Sequence, residues 1–267
     1  MRQRLLTVWL IGGLVFLYAP IALVVATSFN AAPLMTVWSG ASLRWYVQLW
    51  HSPALMEAAA RSLGIAAASA SLATLLGGAA GIALGRAGAF RGRGLFEGLV
   101  AIPLILPDLL IGLALLLLFI ALEALTGWPA GRGVLTIILA HATASLAFVA
   151  VTVRARLAGF DEALEHAAAD LGATPLVVLR RITIPLIAPA LAAGWLLAFT
   201  LSLDDVVIAS FTGGPGATTL PMAIFSSLRL GPTPVLNALA TIILALVAGL
   251  LLAAWKLAPV AARGARD

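Results

Sequence analysis

Residues 154–185 read RARLAGFDEALEHAAADLGATPLVVLRRITIP and stand between two stretches that are almost wholly apolar. From residue 160 to 171, apolar side chains recur at helical spacing, and acidic side chains occupy other positions around the turn. Gly172 is typical of a helix end, and Thr174 followed by Pro175 is typical of an N-cap and a first helical residue. The pattern therefore predicts a helix, a glycine turn and a second short helix through LVVLRRI.

The rest of the chain has the composition of a membrane protein. Of its 267 residues, 62% are hydrophobic and 10% are charged, whereas about a quarter of the residues in a soluble domain are charged. We therefore expect an all-α membrane protein made of a single domain, residues 1–267. Apolar runs long enough to cross a hydrocarbon core of about 30 Å as helices predict six transmembrane spans, at 5–28, 62–85, 98–121, 134–153, 186–209 and 235–257. The first run exceeds the 7–15 residues of a signal-peptide core, which favours an uncleaved span.

Lysine and arginine are distributed unevenly among the loops. Twelve lie on one predicted side of the membrane: Arg2, Arg4, Arg86, Arg91, Arg93, Arg154, Arg156, Arg180, Arg181, Lys256, Arg263 and Arg266. Four lie on the other side: Arg44, Arg61, Arg132 and Arg229. Because basic loops stay in the cytoplasm, both termini and residues 154–185 are predicted to be cytoplasmic. The loops near 29–61, 122–133 and 210–234 then face outward.

The residue content argues against several classes of function. The chain contains no cysteine, and its three histidines are too scattered to predict a metal site. The formal charge of +5 is explained by membrane orientation, so nucleic acid is not an expected partner. A membrane enzyme would need spacing that joins His141 to Asp108, and none is evident. A secondary carrier would be expected to show an internal inverted repeat, and only broken-helix signals at 103–107 and 212–216 are found.

Two predicted spans carry residues that shape their helices. Gly77, Gly81 and Gly85 recur at every fourth position and, with neighbouring small residues, permit close packing against another helix. Pro103 and Pro107 each remove a backbone hydrogen bond, which predicts a kinked or locally unwound start to the third span.

The central loop resembles the signature of ABC importer permeases. That signature is E-A-A, three residues, G, nine residues and I-x-L-P, and this chain has His166-Ala167-Ala168, Gly172, Ile182 and Ile184-Pro185 at those spacings. The resemblance extends to IPLILPDLLIGLALLLLF at 102–119 and to residues 202–242, which look like the branch that serves spermidine and putrescine. It implies the six-helix type I importer (MetI-like) fold with a cytoplasmic coupling-helix loop.

The resemblance also implies a set of partners. A P-loop needs a lysine that contacts the terminal phosphates, and the only lysine, Lys256, lies in AAWKLAP. The chain is therefore expected to bind no cofactor, while two copies of a separate ATPase subunit use ATP and Mg. A second homologous permease, with a heterodimer favoured, an extracytoplasmic binding protein and membrane lipid complete the expected partners. The implied coupling residues are Glu165, His166, Ala167, Ala168, Asp170, Leu171, Gly172, Ala173 and Pro185.

His166 departs from the family pattern, which has an acidic residue that helps to anchor the loop to the ATPase. Either the adjacent Glu165 supplies the missing charge, or His166 makes coupling depend on pH. Neighbouring residues on a helix point about 100° apart, so Glu165 need not face the partner that residue 166 faces. The sequence therefore leaves both alternatives open.

Three carboxylates are candidates for the translocation pathway. Asp108 is expected about ten residues into the third span, where it either lines the pathway or caps backbone N–H groups near the proline kink. Asp204 and Asp205 are expected near the outer end of the fifth span. An amine with several ammonium groups joined by methylenes suits carboxylates at intervals with aromatic walls, which adds Trp195 and Phe199. Other small solutes, such as an opine, a phosphonate or a metal complex, are the alternative cargo.

Two further charged or titratable residues have expected structural roles. His141, in the fourth span, is expected to be neutral and hydrogen-bonded to a neighbouring helix. Glu97, at the predicted cytoplasmic edge, is expected to be solvated or paired with an arginine.

Overall fold

The chain is helical in a computed structural model, which describes residues 2–33, 37–229, 233–245 and 248–249. This confirms the predicted all-α class. The helices are α1 (Arg2–Ser28), α2 (Arg44–Trp50), α3 (Pro53–Arg86), α4 (Arg93–Ile105), α5 (Asp108–Thr126), α6 (Val134–Ala158), α7 (Ala163–Asp170), α8 (Pro175–Val178), α9 (Ile184–Asp204), α10 (Val207–Thr212), α11 (Leu220–Arg229) and α12 (Pro234–Ala245). A π-helical turn, Leu179–Thr183, joins α8 to α9.

Five helical stretches in the described residues are long and apolar enough to cross a membrane. They are Leu6–Ser28, Pro53–Arg86, Asp108–Thr126, Val134–Ala158 and Pro175–Asp204. The expected sixth span, 235–257, begins with the shorter apolar helix α12 and continues beyond the described residues. Lys256, Arg263 and Arg266 of the charge count also lie outside them, as do the side chains of Arg2 and Arg4.

The chain divides into two compact units, one made of Met1–Met56 with Ile224–Asp267 and the other of Glu57–Ala223. In the first unit, Asn30 organises the segment between α1 and α2. Its Nδ2 donates to the carbonyl of Val37 at 2.7 Å, and its Oδ1 accepts from the amides of Ala32 and Ser39 at 3.1 Å each. Its own carbonyl accepts from Trp45 Nε1 at 2.6 Å, so a buried asparagine fixes the position of α2.

In the second unit, the glycine stripe of α3 packs against α6, as predicted. A Cβ at Gly81 would lie 2.7 Å from the carbonyl oxygen of Ala150 and 2.9 Å from the Cβ of Val153. A Cβ at Gly85 would lie 2.9 Å from a methyl of Leu157. Only hydrogen at these positions lets the two backbones approach so closely, which confirms the expected packing role of the glycines.

The core of the second unit lies mainly between α6 and α9. Val149, Val153 and Ile187 are completely buried and belong to one cluster with alanines of α3. Gly194 of α9 faces Val149, whose side-chain methyl would lie 3.2 Å from an added Cβ. The centre of the unit is thus built from small and β-branched side chains.

The apolar stretch expected at 98–121 consists of two helices rather than one. Helix α4 ends at Ile105, Leu106 has an extended backbone with ψ of 139°, and α5 begins at Asp108. Pro107 explains the break, since proline has no N–H and disfavours helical geometry in the residue before it. Asp108 therefore begins an apolar helix and does not lie in the middle of one.

Candidate functional site

A cavity of about 490 Å³ lies in the second unit, where the end of α9 meets α6, α10 and the start of α5. Its wall contains all three predicted pathway carboxylates together with polar and apolar side chains. The lining residues are Pro103, Asp108, His141, Ala144, Ser145, Phe148, Leu201, Ser202, Asp204, Asp205, Val206, Val207 and Ile208. The structure therefore brings together acidic groups that lie almost one hundred residues apart in the sequence.

Asp108 and Asp204 are the two exposed carboxylates of this wall. Asp108 lies in the first turn of α5, directly after the break at Pro107. Asp204 is the last residue of α9, and the charges of Asp108 and Asp205 both act on it. Both residues are exposed, in contrast to Asp205.

Asp205 has a different role because its carboxylate is held by the protein. Its Oδ2 accepts a hydrogen bond from the amide of Ala209 at 2.8 Å, and its Oδ1 accepts from the amide of Ile208 at 3.2 Å. These are amides of the first turn of α10, which have no partner within the helix. Asp205 therefore caps α10 and fixes the direction in which the chain leaves α9.

His141 holds Asp205 from the opposite side. The imidazole is 2% exposed, with Nε2 at 3.2 Å from Asp205 Oδ2 and Nδ1 at 2.7 Å from Ser202 Oγ. Ser202 Oγ in turn lies 3.0 Å from Ser69 Oγ of α3. The expected hydrogen bonding of His141 to a neighbouring helix is confirmed, and the polar chain connects α3, α6 and α9.

Trp195 and Phe199 do not line the cavity. Their rings stack with centroids 5.1 Å apart and an angle of 13° between their planes, and Trp195 Nε1 donates to Ser71 Oγ at 3.1 Å. Both rings pack against the buried cluster between α6 and α9. The aromatic side chain in the cavity wall is Phe148, which the sequence reasoning missed although it lies seven residues, about two helical turns, after His141 on α6.

The predicted helix, glycine turn and helix in the loop are present. Helix α7 ends at Asp170, and Gly172 has a φ of +85°. The amide of Ala173 donates to the carbonyl of Ala168 at 3.0 Å, and the amide of Gly172 donates to that of Ala169 at 2.9 Å. This pair of bonds is a Schellman motif, which needs a residue in the left-handed region. Residues 168–173 therefore have the hydrogen bonds of a helix end, with Gly172 at its left-handed position.

The second half of the loop runs continuously into a membrane helix. Thr174 has an extended backbone and Pro175 begins α8, as predicted, although the Thr174 side chain makes no capping hydrogen bond. Pro185 lies in the first turn of α9. Together with the intervening π-helical turn, α8 and α9 form one helical rod from Pro175 to Asp204.

The surface of the loop is open. No residue of α7 is fully buried, and the Leu171 side chain is 90% exposed. His166, Ala167 and Asp170 are exposed and Ala168 is half-buried. These exposed residues, which the resemblance assigns to coupling, thus form a surface accessible to another protein.

Glu165 faces inward, in contrast to its neighbour His166. Its Oε2 lies 2.8 Å from Nε of Arg86, and its Oε1 accepts a hydrogen bond from Thr183 Oγ1 at 2.6 Å. The Nε–H of Arg86 forms no aligned hydrogen bond with the described residues, so the contact with Arg86 is an ion pair. Because both oxygens of Glu165 are engaged, it is not placed to replace an acidic group at the exposed position of His166.

A second ion pair joins α4 to α6. Glu97 contacts the guanidinium of Arg154, which confirms the expected pairing of Glu97 with an arginine. This guanidinium holds the pKa of the Glu97 carboxyl below its usual range, first through a hydrogen bond and then through its charge. The pair is exposed, so it contributes little to stability.

Comparison with known proteins identifies the family. Residues 74–258 match the family described as the binding-protein-dependent transport system inner membrane component. The chain is 54% identical over 248 residues to the putrescine transport system permease protein PotI of Escherichia coli (strain K12), covering 93% of this chain and 88% of that protein. It is 42% identical over 231 residues to the spermidine/putrescine transport system permease protein PotC of the same strain, covering 86% and 85%.

A solved structure supports the fold. A chain of a bacterial ABC transporter involved in the import of the acidic polysaccharide alginate superposes with a TM-score of 0.72 at 18% identity, covering 93% of this chain and 92% of that one. The helical architecture described above is therefore that of an ABC importer permease. With the family match extending over more than half of its length, the chain belongs to the inner-membrane components of binding-protein-dependent transport systems, and it is a multi-pass permease subunit rather than an enzyme.

Proposed function

We propose that this chain forms half of the translocation pathway for the polyamines putrescine and spermidine in an ATP-driven importer. The observation that carries the proposal is the placement of the exposed carboxylates of Asp108 and Asp204 on one cavity that also has apolar walls. A polyamine has ammonium groups separated by methylenes, so it matches carboxylates separated by apolar surface. The relatives named for putrescine and for spermidine/putrescine transport support the same class of solute.

The pathway residues have different proposed tasks. Asp108 and Asp204 attract the ammonium groups, while Asp205 keeps the cavity in shape through α10 and His141. Trp195 and Phe199 precede Asp204 on α9, with Trp195 about 14 Å along the helix from Asp204. With residues 154–185 in the cytoplasm, α9 runs from the cytoplasmic side outwards, so these two side chains contact the solute after it leaves the cavity towards the cytoplasm. Binding to so few groups stays weak enough for release, as transport requires.

The loop of residues 154–185 is the proposed ATPase-coupling surface. Its exposed residues His166, Ala167, Asp170 and Leu171 seat in the partner, and the Schellman turn at Gly172 with Ala168 and Ala173 gives the loop a fixed shape. Glu165 and Pro185 connect it to the membrane helices. Closure of the ATPase subunits, which use ATP and Mg, then moves rigid elements of the permease.

The proposed assembly is the one that the resemblance to ABC importer permeases implies. Two copies of an ABC ATPase dock on the cytoplasmic side, and a second, homologous permease completes the pathway as a heterodimer. A substrate-binding protein delivers solute from the outside, which accords with a family defined by dependence on a binding protein. The twelve-to-four distribution of basic residues supports cytoplasmic termini. Membrane lipid covers the remaining apolar surface, and nucleic acid is not a partner.

Reconstitution tests this function. The chain is purified with its neighbouring permease, ATPase and binding-protein subunits and placed in proteoliposomes. With ATP enclosed in the vesicles and the ATPase subunits facing the lumen, putrescine or spermidine added outside with the binding protein should stimulate ATP hydrolysis and accumulate inside. If neither amine stimulates hydrolysis while an opine, a phosphonate or a metal complex does, the importer carries another solute and the polyamine proposal is wrong.

A further inference from the structure

Three side chains from separate elements meet beneath the loop helix α7. Arg86 is the last residue of α3, Glu165 lies in the first turn of α7, and Thr183 is the last residue of the π-helical turn before α9. The side chains of Arg86 and Glu165 are 15% and 17% exposed, and Thr183 is 4% exposed. We call this group the Arg86–Glu165–Thr183 bridge.

Each oxygen of Glu165 contacts a different element. Oε2 pairs with Arg86 at 2.8 Å, and Oε1 accepts from Thr183 at 2.6 Å. A single carboxylate therefore connects α7 to the ends of α3 and α9 at the same time. Because the group is largely shielded from water, these charge-assisted contacts are stronger than those of an exposed pair.

Apolar packing does little to hold α7 in place. The helix has no fully buried residue. A cavity of about 390 Å³ lies beneath it, bordered by Ile82, Ala169, Val178 and Leu179 as well as by the bridge itself. The polar bridge therefore attaches α7 to the two membrane helices at a place where apolar packing is sparse.

The position of Thr183 gives the bridge a second effect. A π-helical turn contains an extra residue relative to the α-helix around it and often marks a functional site. Thr183 ends this turn, so its bond to Glu165 holds the register at which the loop passes into α9. Loss of that bond would free the junction to change its geometry.

We propose that Glu165 is a positioning residue for energy coupling, which fixes α7 to α3 through Arg86 and to α9 through Thr183 so that all three move together. This inference rests on the proposed coupling role of the loop. The proposal gives Glu165 and His166 different roles, because the side chain of His166 is exposed and available to the ATPase. A displaced α7 would then pull on both membrane helices instead of sliding over them.

The attachment can be measured without any solute. The chain has no cysteine, so spin labels on cysteines introduced at Ala163 of α7 and at Ala87 after α3 would be the only labels on this subunit. In the purified transporter, pulsed electron paramagnetic resonance should give a narrow distance distribution. Glu165→Gln removes the ion pair, Thr183→Val removes the hydrogen bond with little change in shape, and each should broaden the distribution. Exchange of charges in Arg86→Glu with Glu165→Arg restores an ion pair but removes the carboxylate that accepts from Thr183, so the distribution should narrow only in part.

Glu162→Gln is the matched control. Glu162 also contacts Arg86, at 3.2 Å, but its side chain is 57% exposed and it does not contact Thr183. The control should leave the distance distribution as it is in the wild-type protein. An unchanged distribution in both Glu165→Gln and Thr183→Val would overturn the proposal.

The coupling itself is measured as solute transported per ATP hydrolysed. Glu165→Gln and Thr183→Val should lower this ratio by about fivefold, the lower end of typical coupling between two sites, while the ATPase still co-purifies. An unchanged ratio with a broadened distance distribution would refute the coupling role of the bridge. If the wild-type transporter responds to no polyamine, the proposed solute is wrong, and the ratio is measured with the solute that does stimulate it.

Discussion

The Oδ2 atom of Asp205 lies 3.2 Å from Nε2 of His141, joining the end of α9 to the first half of α6. The adjacent residue, Asp204, also lines the cavity, but its side chain is exposed. Two consecutive aspartates in the sequence therefore differ in their surroundings, and the proposed function assigns contact with the solute to Asp204 alone.

Substitution of these two aspartates should separate stability from transport. Asp205→Ala removes two capping bonds of α10 and the partner of His141, so the free energy of unfolding should fall by about 1–2 kcal/mol. Asp204→Asn should leave thermal stability unchanged and lower putrescine uptake. Thermal inactivation of the detergent-purified complex and uptake in proteoliposomes measure the two effects. Equal loss of stability in both variants would contradict the division of roles.

Asp108→Asn should impair transport far more than assembly. The substitution keeps the size of the side chain and removes the charge, so uptake of a cationic amine should drop about tenfold, which corresponds to ~1.4 kcal/mol of lost interaction. Co-purification with the ATPase should be unaffected. Asp108→Glu, which keeps the charge, serves as the control and should retain more uptake than the asparagine variant.

Gly172→Pro should uncouple ATP hydrolysis from transport while the membrane helices remain folded. Proline is restricted to a φ near −65°, whereas the turn needs +85°, and the substitution also removes the amide that bonds to Ala169. Gly172→Asn is the matched variant, since asparagine tolerates the left-handed region. Solute-stimulated ATPase activity should be lost in the first variant and largely kept in the second. Normal pumping by Gly172→Pro would refute the docking role of the loop.

Two glycines of α3 should respond in opposite ways to the same substitution. Gly81→Ala places a methyl group 2.7 Å from the Ala150 carbonyl oxygen, and such overpacking should destabilise the protein by about 1–3 kcal/mol. Gly64 has nothing within 4 Å of an added Cβ, so Gly64→Ala should be neutral or stabilising by up to about 1 kcal/mol through helix propensity. Thermal unfolding of the two variants in one detergent tests the close packing of α3 on α6.

His166→Glu should strengthen attachment of the ATPase. The resemblance implies an acidic anchor at this exposed position, and Glu165 is held inward by Arg86 and Thr183. An added surface ion pair contributes about 0.2–1 kcal/mol, so affinity should rise by about 1.4- to fivefold. Titration of the ATPase onto the immobilised permease measures it, and an unchanged affinity would make His166 a neutral replacement.

Local sequence patterns were sufficient for the features that depend on neighbouring residues. Gly172 and Pro175 marked a helix end and a helix start, and the fourfold spacing of Gly77, Gly81 and Gly85 marked a packing face. Both features arise from backbone geometry over a few residues. They were therefore predicted and are confirmed.

Features that depend on distant residues were not predictable in this way. The ion pair that turns Glu165 inward needs Arg86, which comes from another helix. Asp108, Asp204 and His141 meet because three helices pack together, whereas Trp195 is close to Asp204 in sequence but about 14 Å from it along the helix. Proximity along a membrane helix was therefore a poor guide to proximity around the cavity.

The exposed leucines of the loop have a consequence for synthesis of the subunit. Leu164, Leu171 and Leu176 are 52%, 90% and 55% exposed, and exposed apolar surface of this kind favours aggregation and recognition by quality-control proteases. If the ATPase covers them, a subunit made in excess of its partner carries a degradation signal that assembly removes. Cellular levels of the permease would then follow the supply of ATPase.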